Sequence, residues 1–157
     1  MSLENHQEDF ILLAEAGFIA VNQSDEDAAK KLFQAASLLD PKNSLPTIGK
    51  GYLHLHKLEM KKACELFEKI LKKEPDNDMV KTFLGLCMVF SPKGVNKGEK
   101  ILEETLHSSD KLVKNLSKSA IDFANTYVKK SPSPAQAPLH KKEKKKDKKG
   151  KKHGRST

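Results

Sequence analysis

"DAAKKLFQAASLLDPKN" at residues 27–43 and "KKACELFEKILKKEPDN" at residues 61–77 share their key side chains at equal offsets. Ala29 and Ala63, Phe33 and Phe67, and Pro41 and Pro75 stand one constant step apart, and Gly17, Gly51 and Gly85 form a further register with the same step. Self-similarity at a fixed period of this size marks one supersecondary unit used repeatedly, each copy burying its apolar face against the next. The repeat, and not any one helix in it, is the unit that decides the fold.

Apolar residues recur at helical spacing between residues 8 and 129, with punctuation about every 15 to 18 residues. Three helix pairs are expected, 8–22 with 25–39, 44–57 with 60–73, and 78–90 with 96–107, followed by a seventh helix over about 110–129. Ser24, with Asp27 three residues on, is the expected cap of the second helix. Asn43 or Ser44 should cap the third, and Asp76 or Asn77 the fifth. On the last helix Leu112, Leu116, Ala120, Phe123 and Tyr127 lie on one stripe, with Lys111, Lys114, Lys118, Asp122 and Lys129 facing away. That stripe reads as the cap that covers the last apolar face of a stack.

At 157 residues, 37% of them hydrophobic, the chain has room for one domain of ordinary size. Its net charge of +8 is confined to the end: residues 131–157 hold nine Lys and one Arg against one Glu and one Asp. Positions 1–130 carry 19 basic and 19 acidic groups and are neutral. "SPSPAQAP" has three prolines in eight residues, and "KKEKKKDKKGKKHGR" has no apolar residue to pack. The expected organisation is a helical domain over 1–130 and a disordered Pro/Lys-rich tail over 131–157.

No Gly-rich phosphate loop, nucleophile elbow or metal-ligand cluster is present, so neither catalysis nor a cofactor is expected. His54 and His56 are two residues apart, about 200 degrees around a helix, and cannot share a metal. Cys64 and Cys87 read as small buried helix residues in a reduced compartment. The start "MSLENHQEDF" is polar and acidic, unlike an export signal, and no apolar run is long enough to span a membrane. A cytoplasmic location is the expectation.

The offsets resemble the tetratricopeptide repeat, a 34-residue helix-turn-helix with Gly at its eighth position, Ala at the twentieth, a large apolar residue at the twenty-fourth and Pro at the thirty-second. A first repeat at about 10–43 places Gly17, Ala29, Phe33, Ala36 and Pro41 on those marks, and a second at 44–77 places Gly51, Ala63, Phe67 and Pro75. A third at 78–111 keeps Leu84 and Gly85, gains a residue in "SPKGVNKG", and puts Gly98, Leu102 and Asp110 where Ala, Phe and Pro would stand. In the second repeat Thr47, Lys50 and His54 also replace the usual aromatic or aliphatic residues. The resemblance implies an all-α, right-handed solenoid of three helix pairs plus the capping helix.

In that architecture positions 2, 5, 9 and 12 of each repeat line a concave groove. Here they are Ile11, Ala14, Phe18 and Val21, then Leu45, Ile48, Tyr52 and Leu55, then Met79, Thr82, Leu86 and Val89, and eleven of the twelve are apolar. Such a surface suits an apolar segment of a protein partner; burying five or six of these side chains gives a gross gain of about 10 kcal/mol before association costs. Tetratricopeptide adaptors that clamp the carboxylate of chaperone C-termini use Lys, Asn and Arg, where this chain has Ala14, Phe18, Gly49, Met79 and Phe83.

Three repeats, a C-terminal helix and an apolar groove are similar to the tetratricopeptide chaperones of bacterial type III secretion. The short stretch before the first repeat favours the needle-subunit branch over the translocator branch. That resemblance implies sequestration of an aggregation-prone helix of an export substrate, in a complex that a second small helical chaperone commonly shares. The alternative is a scaffold that joins a helical ligand in the groove to nucleic acid, ribosome or anionic membrane through the ten basic groups of the tail. No aromatic residue is interleaved among them, which disfavours base stacking.

Overall fold

The computed structural model describes residues 3–130, and the tail expected over 131–157 lies outside the described residues. Seven α-helices are described: α1 (Leu3–Asn22), α2 (Glu26–Leu39), α3 (Leu45–His56), α4 (Met60–Leu71), α5 (Asp78–Val89), α6 (Val95–Thr105) and α7 (Lys111–Phe123). A single π-helical turn, Ala124–Val128, extends α7, and no strand is present among the described residues.

Four of the helices begin where a short polar side chain satisfies free N–H groups of the first turn. Asp25, not the expected Ser24, caps α2, accepting from the Ala28 N–H at 2.9 Å. Asn43 accepts from the Leu45 N–H at 3.0 Å at the start of α3, and Asn77 accepts from the Val80 N–H at 3.1 Å at the start of α5. Asp110 accepts from the N–H groups of Leu112 and Val113 at 2.8 and 3.3 Å. The residue that departs from the proline of the repeat therefore serves as the cap of α7.

Ser24 has another task. It sits at φ 61°, and Leu58, one repeat step later, sits at φ 58°. Both lie just past the first helix of a pair and close the same C-terminal motif. The Asp25 N–H bonds the Ala20 carbonyl at 2.9 Å, and the Glu59 N–H bonds the His54 carbonyl at 2.9 Å. This left-handed position reverses the chain within a short turn. The third pair, with its longer turn, uses Gly94 and no left-handed residue.

The helices pack as successive pairs, α1 with α2, α3 with α4 and α5 with α6. The second helix of each pair also meets the next first helix, and α1 meets α3, α3 meets α5, and α5 meets α7. Every unit thus touches only its neighbours. Close approach within a pair is set by glycine. A Cβ added at Gly17 would stand 2.5 Å from the Phe33 ring, one at Gly51 would stand 2.5 Å from Phe67, and one at Gly85 would stand 2.8 Å from Leu102. Gly49 of α3 also lies against Phe33, so that ring is wedged between α1 and α3. Ala29, Phe33, Ala36, Ala63 and Phe67 are fully buried, whereas Pro41 and Pro75 stand exposed in the turns between pairs.

The last helix is rotated relative to the expectation. Its inward face is Val113, Ser117, Ala120 and Ala124, all buried. Of the five residues expected to form the cap, only Ala120 is buried; Leu116 is half-buried, and Leu112, Phe123 and Tyr127 are exposed. The cause is a buried hydroxyl cluster. Ser117 Oγ lies 2.7 Å from Thr105 Oγ1 and 3.2 Å from Thr82 Oγ1, which ties α7 to α6 and α5. Thr82 and Thr105 also donate to the carbonyls of Asp78 and Leu102, so the three hydroxyls are buried with partners.

If the glycine slot sets the distance between paired helices, Gly51→Ala overpacks the Phe67 ring and costs about 1–3 kcal/mol in urea unfolding. Phe67→Leu placed in the same chain recovers part of that loss, and simple additivity of the two changes would exclude the slot as the cause.

Candidate binding groove

One groove, of about 720 Å³, runs across the three pairs. Its wall is built from the first helices: Phe18 of α1, Tyr52 and Leu55 of α3, and Met79, Phe83 and Leu86 of α5. Leu112 and Leu116 of α7 face that wall, and Leu58, Met60 and Phe90 form the rim at the turns. Phe18, Tyr52 and Leu86 succeed one another at the repeat step, so the repeat itself delivers one side chain per pair to the same line.

The wall is an unbroken run of rings. Phe33 meets Phe18 edge-on at 5.3 Å, Phe18 meets Tyr52 at 5.7 Å, Tyr52 meets Phe83 at 5.6 Å, and Phe83 stacks on Phe67 at 5.6 Å. The two buried repeat phenylalanines therefore anchor the ends of the run, and the groove-facing rings between them are held by their neighbours. Two polar side chains line the groove, Asn22 and His56, and both converge on one hydroxyl. Tyr52 OH donates to Asn22 Oδ1 at 2.9 Å, and His56 Nε2 lies 3.2 Å from the Tyr52 hydroxyl oxygen. Burial pushes the Tyr52 phenol above its ordinary pKa, so it stays a protonated donor.

Of the twelve residues expected to face the groove, Phe18, Tyr52, Leu55, Met79 and Leu86 do so. Ala14, Val21, Ile48, Thr82 and Val89 are buried between helices and present no surface. Ile11 and Leu45 line a separate hollow at the outer end of the first pair, with Phe10 and Leu39. The physical reason is phase. A helix packed on two sides buries more than one stripe, so part of the expected concave row is consumed by contact with the next pair.

Asn22, His56, Leu58, Met60, Phe83, Phe90, Leu112 and Leu116 also line the groove and were not among those twelve, although Phe83 stands at one of the clamp positions. For α5 a signal was present, since Met79, Phe83, Leu86 and Phe90 follow i, i+4, i+7, i+11 spacing. For Leu58 none was present, because its place depends on a positive φ.

That rim leucine is 75% exposed and is held by ion pairs on either side. Lys57 Nζ lies 2.8 Å from Glu26 Oε1, which also pairs with Lys30 at 2.6 Å. Hydrogen bonds from Lys30 and Lys57 lower the Glu26 carboxyl to about 2. Glu59 is lowered too, first by its 2.5 Å bond with His54 and then by Lys62. Turn 57–59 is thus clamped to α2 and to α3.

The groove can desolvate an apolar segment and offers it one hydroxyl-centred polar point. Among the described residues no group of His, Cys, Asp or Glu is arranged to hold a metal ion. Cys64 and Cys87 carry free thiols, and the buried Cys87 thiol is raised by its bond with Cys64 and by burial. No helix among the described residues is long and apolar enough to cross a membrane. Comparison with known families, with curated proteins and with solved structures returns no match.

Two outcomes follow from the clamped rim. Leu58→Asn puts at φ 58° a residue that tolerates the left-handed conformation better than Leu and raises stability by about 1 kcal/mol, while weakening binding of an apolar dye; tighter dye binding would remove Leu58 from the site. The depressed Glu26 carboxyl stabilises the fold fully above about 4.5, and this contribution drains away as pH falls toward about 2. Glu26→Gln should therefore flatten acid unfolding across that window, an effect that added salt also reduces.

Proposed function

We propose that the chain is a right-handed solenoid of three tetratricopeptide-type pairs closed by α7, and that it is a cytoplasmic secretion chaperone of the needle-subunit type. The constant repeat step, and the recurrence of the glycine slot and of the left-handed turn at that step, support the repeat assignment. The observation that carries the function is the groove: thirteen side chains converge on it and none bears a formal charge with His neutral. A nucleotide, a metal or an acidic peptide has no counter-charge there. An apolar stripe of a partner helix, with residues at i, i+3, i+4 and i+7, does find a matching surface.

The mechanism is sequestration. A subunit that polymerises through an apolar helix is held monomeric when that helix is laid between the ring wall of α1, α3 and α5 and the leucines of α7. Met60 and Met79 give the groove soft edges that adapt to the bound side chains. The Asn22–Tyr52–His56 cluster supplies a single directional contact, which fixes register along the groove. A second small helical chaperone in the same complex is part of this reading.

A scaffold that carries a helical ligand in the groove and meets nucleic acid or an anionic surface through the tail is the second reading, favoured by the net +8 of residues 131–157. A pull-down from the native source separates the two. A small helical export substrate supports the chaperone, and partners lost on nuclease treatment support the scaffold. Leu112→Glu, at a side chain 73% exposed, leaves the melting temperature unchanged and reduces partner capture at least about tenfold through one buried, unpaired charge. Retained capture would exclude the groove as the binding site.

A further inference from the structure

Cys64 and Cys87 are the two cysteines of the chain, both free thiols, and they stand on different repeat units. Cys64 lies early in α4, the second helix of the second pair, and Cys87 lies late in α5, the first helix of the third. Residues 72–77 join these helices, which pack against each other. Into one shared core α4 sends Cys64, Phe67 and Leu71, and α5 sends Val80, Leu84 and Cys87. Each set follows the i, i+3 or i+4, i+7 spacing of a single helix face. The thiols meet on that contact, where the Cys87 S–H donates to Cys64 Sγ.

We infer that Cys64 and Cys87 form a hydroperoxide-responsive dithiol that closes to a disulfide across the joint between the second and third pairs. The first support is position. A disulfide needs sulfurs about 2 Å apart, and thiols already in hydrogen-bond contact reach that distance by side-chain rotation and a small helix shift. The second is access. Cys64 is half-buried, so a small oxidant reaches its sulfur, whereas Cys87 is fully buried and is reached by Cys64.

The third is charge. The bond from the Cys87 thiol, assisted by Lys97 of α6, holds Cys64 below the usual thiol range against burial and the carboxylates of Glu68 and Glu65. The same bond, together with burial, pushes the Cys87 thiol up. Cys64 is thus the nucleophile, and Cys87 keeps its proton until the second step.

The Cys64 thiolate attacks one oxygen of the hydroperoxide. An S–O bond forms and the O–O bond breaks; with hydrogen peroxide the departing hydroxide takes up the proton that Cys64 released, leaving water and a sulfenic acid. Cys87 Sγ then attacks the Cys64 sulfur. The S–S bond forms, the S–O bond breaks, and the Cys87 proton leaves with the hydroxyl as a second water. The two sulfurs together lose two electrons, and the peroxide gains them. The bond pins α5, which carries Met79, Phe83 and Leu86 of the groove wall, to the second pair, whatever ligand the groove takes.

The test treats the full chain with a small excess of hydrogen peroxide, at a dilution where it is monomeric, and reads the intact mass. The monomer should lose about 2 Da together with both free thiols, and dithiothreitol should restore them. With no further cysteine in the chain, that mass assigns the bond. Cys87→Ser should stop at the sulfenic acid, so that dimedone labels Cys64 at least about tenfold more than in the unaltered chain. Cys64→Ser should leave Cys87 unlabelled. The closed bond should raise the melting temperature by roughly 5–10 °C, as expected for a loop of this length. A disulfide-linked dimer, a gain of oxygen without the mass loss, label on Cys87, or equal labelling of Cys64 with and without Cys87 would overturn the dithiol. An unchanged or lower melting temperature of the bonded chain would overturn the pinning of the joint.

Discussion

A phenyl ring set against a glycine is the contact on which the rest of this molecule depends. Phe33 fills the space left by the absent Cβ of Gly17, and Phe67 fills the space at Gly51. Each pair of helices can then approach closely enough for its remaining side chains to interdigitate. The third pair solves the same problem with smaller means, Leu102 against Gly85 and Gly98 against the backbone of α5. Because the contact returns at a fixed step, the first helices are brought into one row, and that row becomes the groove wall.

The groove inherits its rigidity from the same rings. Phe18 rests on Phe33, and Phe83 rests on Phe67, so the groove-facing rings are braced by the core on both sides of Tyr52. What is soft in the site lies at its rim, where Met60, Met79 and the exposed Leu58 can adjust. A braced wall with adaptable edges would suit the apolar segment proposed as its ligand.

The closing helix shows how a few hydroxyls redirect a large apolar face. Val113, Ser117, Ala120 and Ala124 cap the last pair; had Leu112 and Leu116 been turned inward in their place, α7 would not have lined the groove with them. Ser117, joined to Thr105 and Thr82, turns the helix instead. Buried hydroxyls with partners are tolerated, while exposing Leu112 and Tyr127 gives up several kcal/mol of burial at about 25 cal/mol per Å² unless something covers them. The helix thereby caps the last pair with one face and forms the second wall of the groove with another.

Helix number, the step of the repeat, the scaffold set Gly17, Phe33, Gly51, Phe67 and Gly85, and most helix limits were legible in the sequence, because steric need at a helix contact selects residue types directly; α1 begins at Leu3, five residues before its expected start. Five of the twelve groove residues were legible for the same reason, as positions of the repeat. The burial of Ala14, Val21, Ile48, Thr82 and Val89 was not, since the neighbouring pair decides which stripe of a helix is covered. Nor were the left-handed Leu58 and the rotation of α7. The sequence determined the repeating unit through local sterics and period; the tertiary structure alone decided which apolar face meets water, because that choice rests on contacts between residues far apart in the chain.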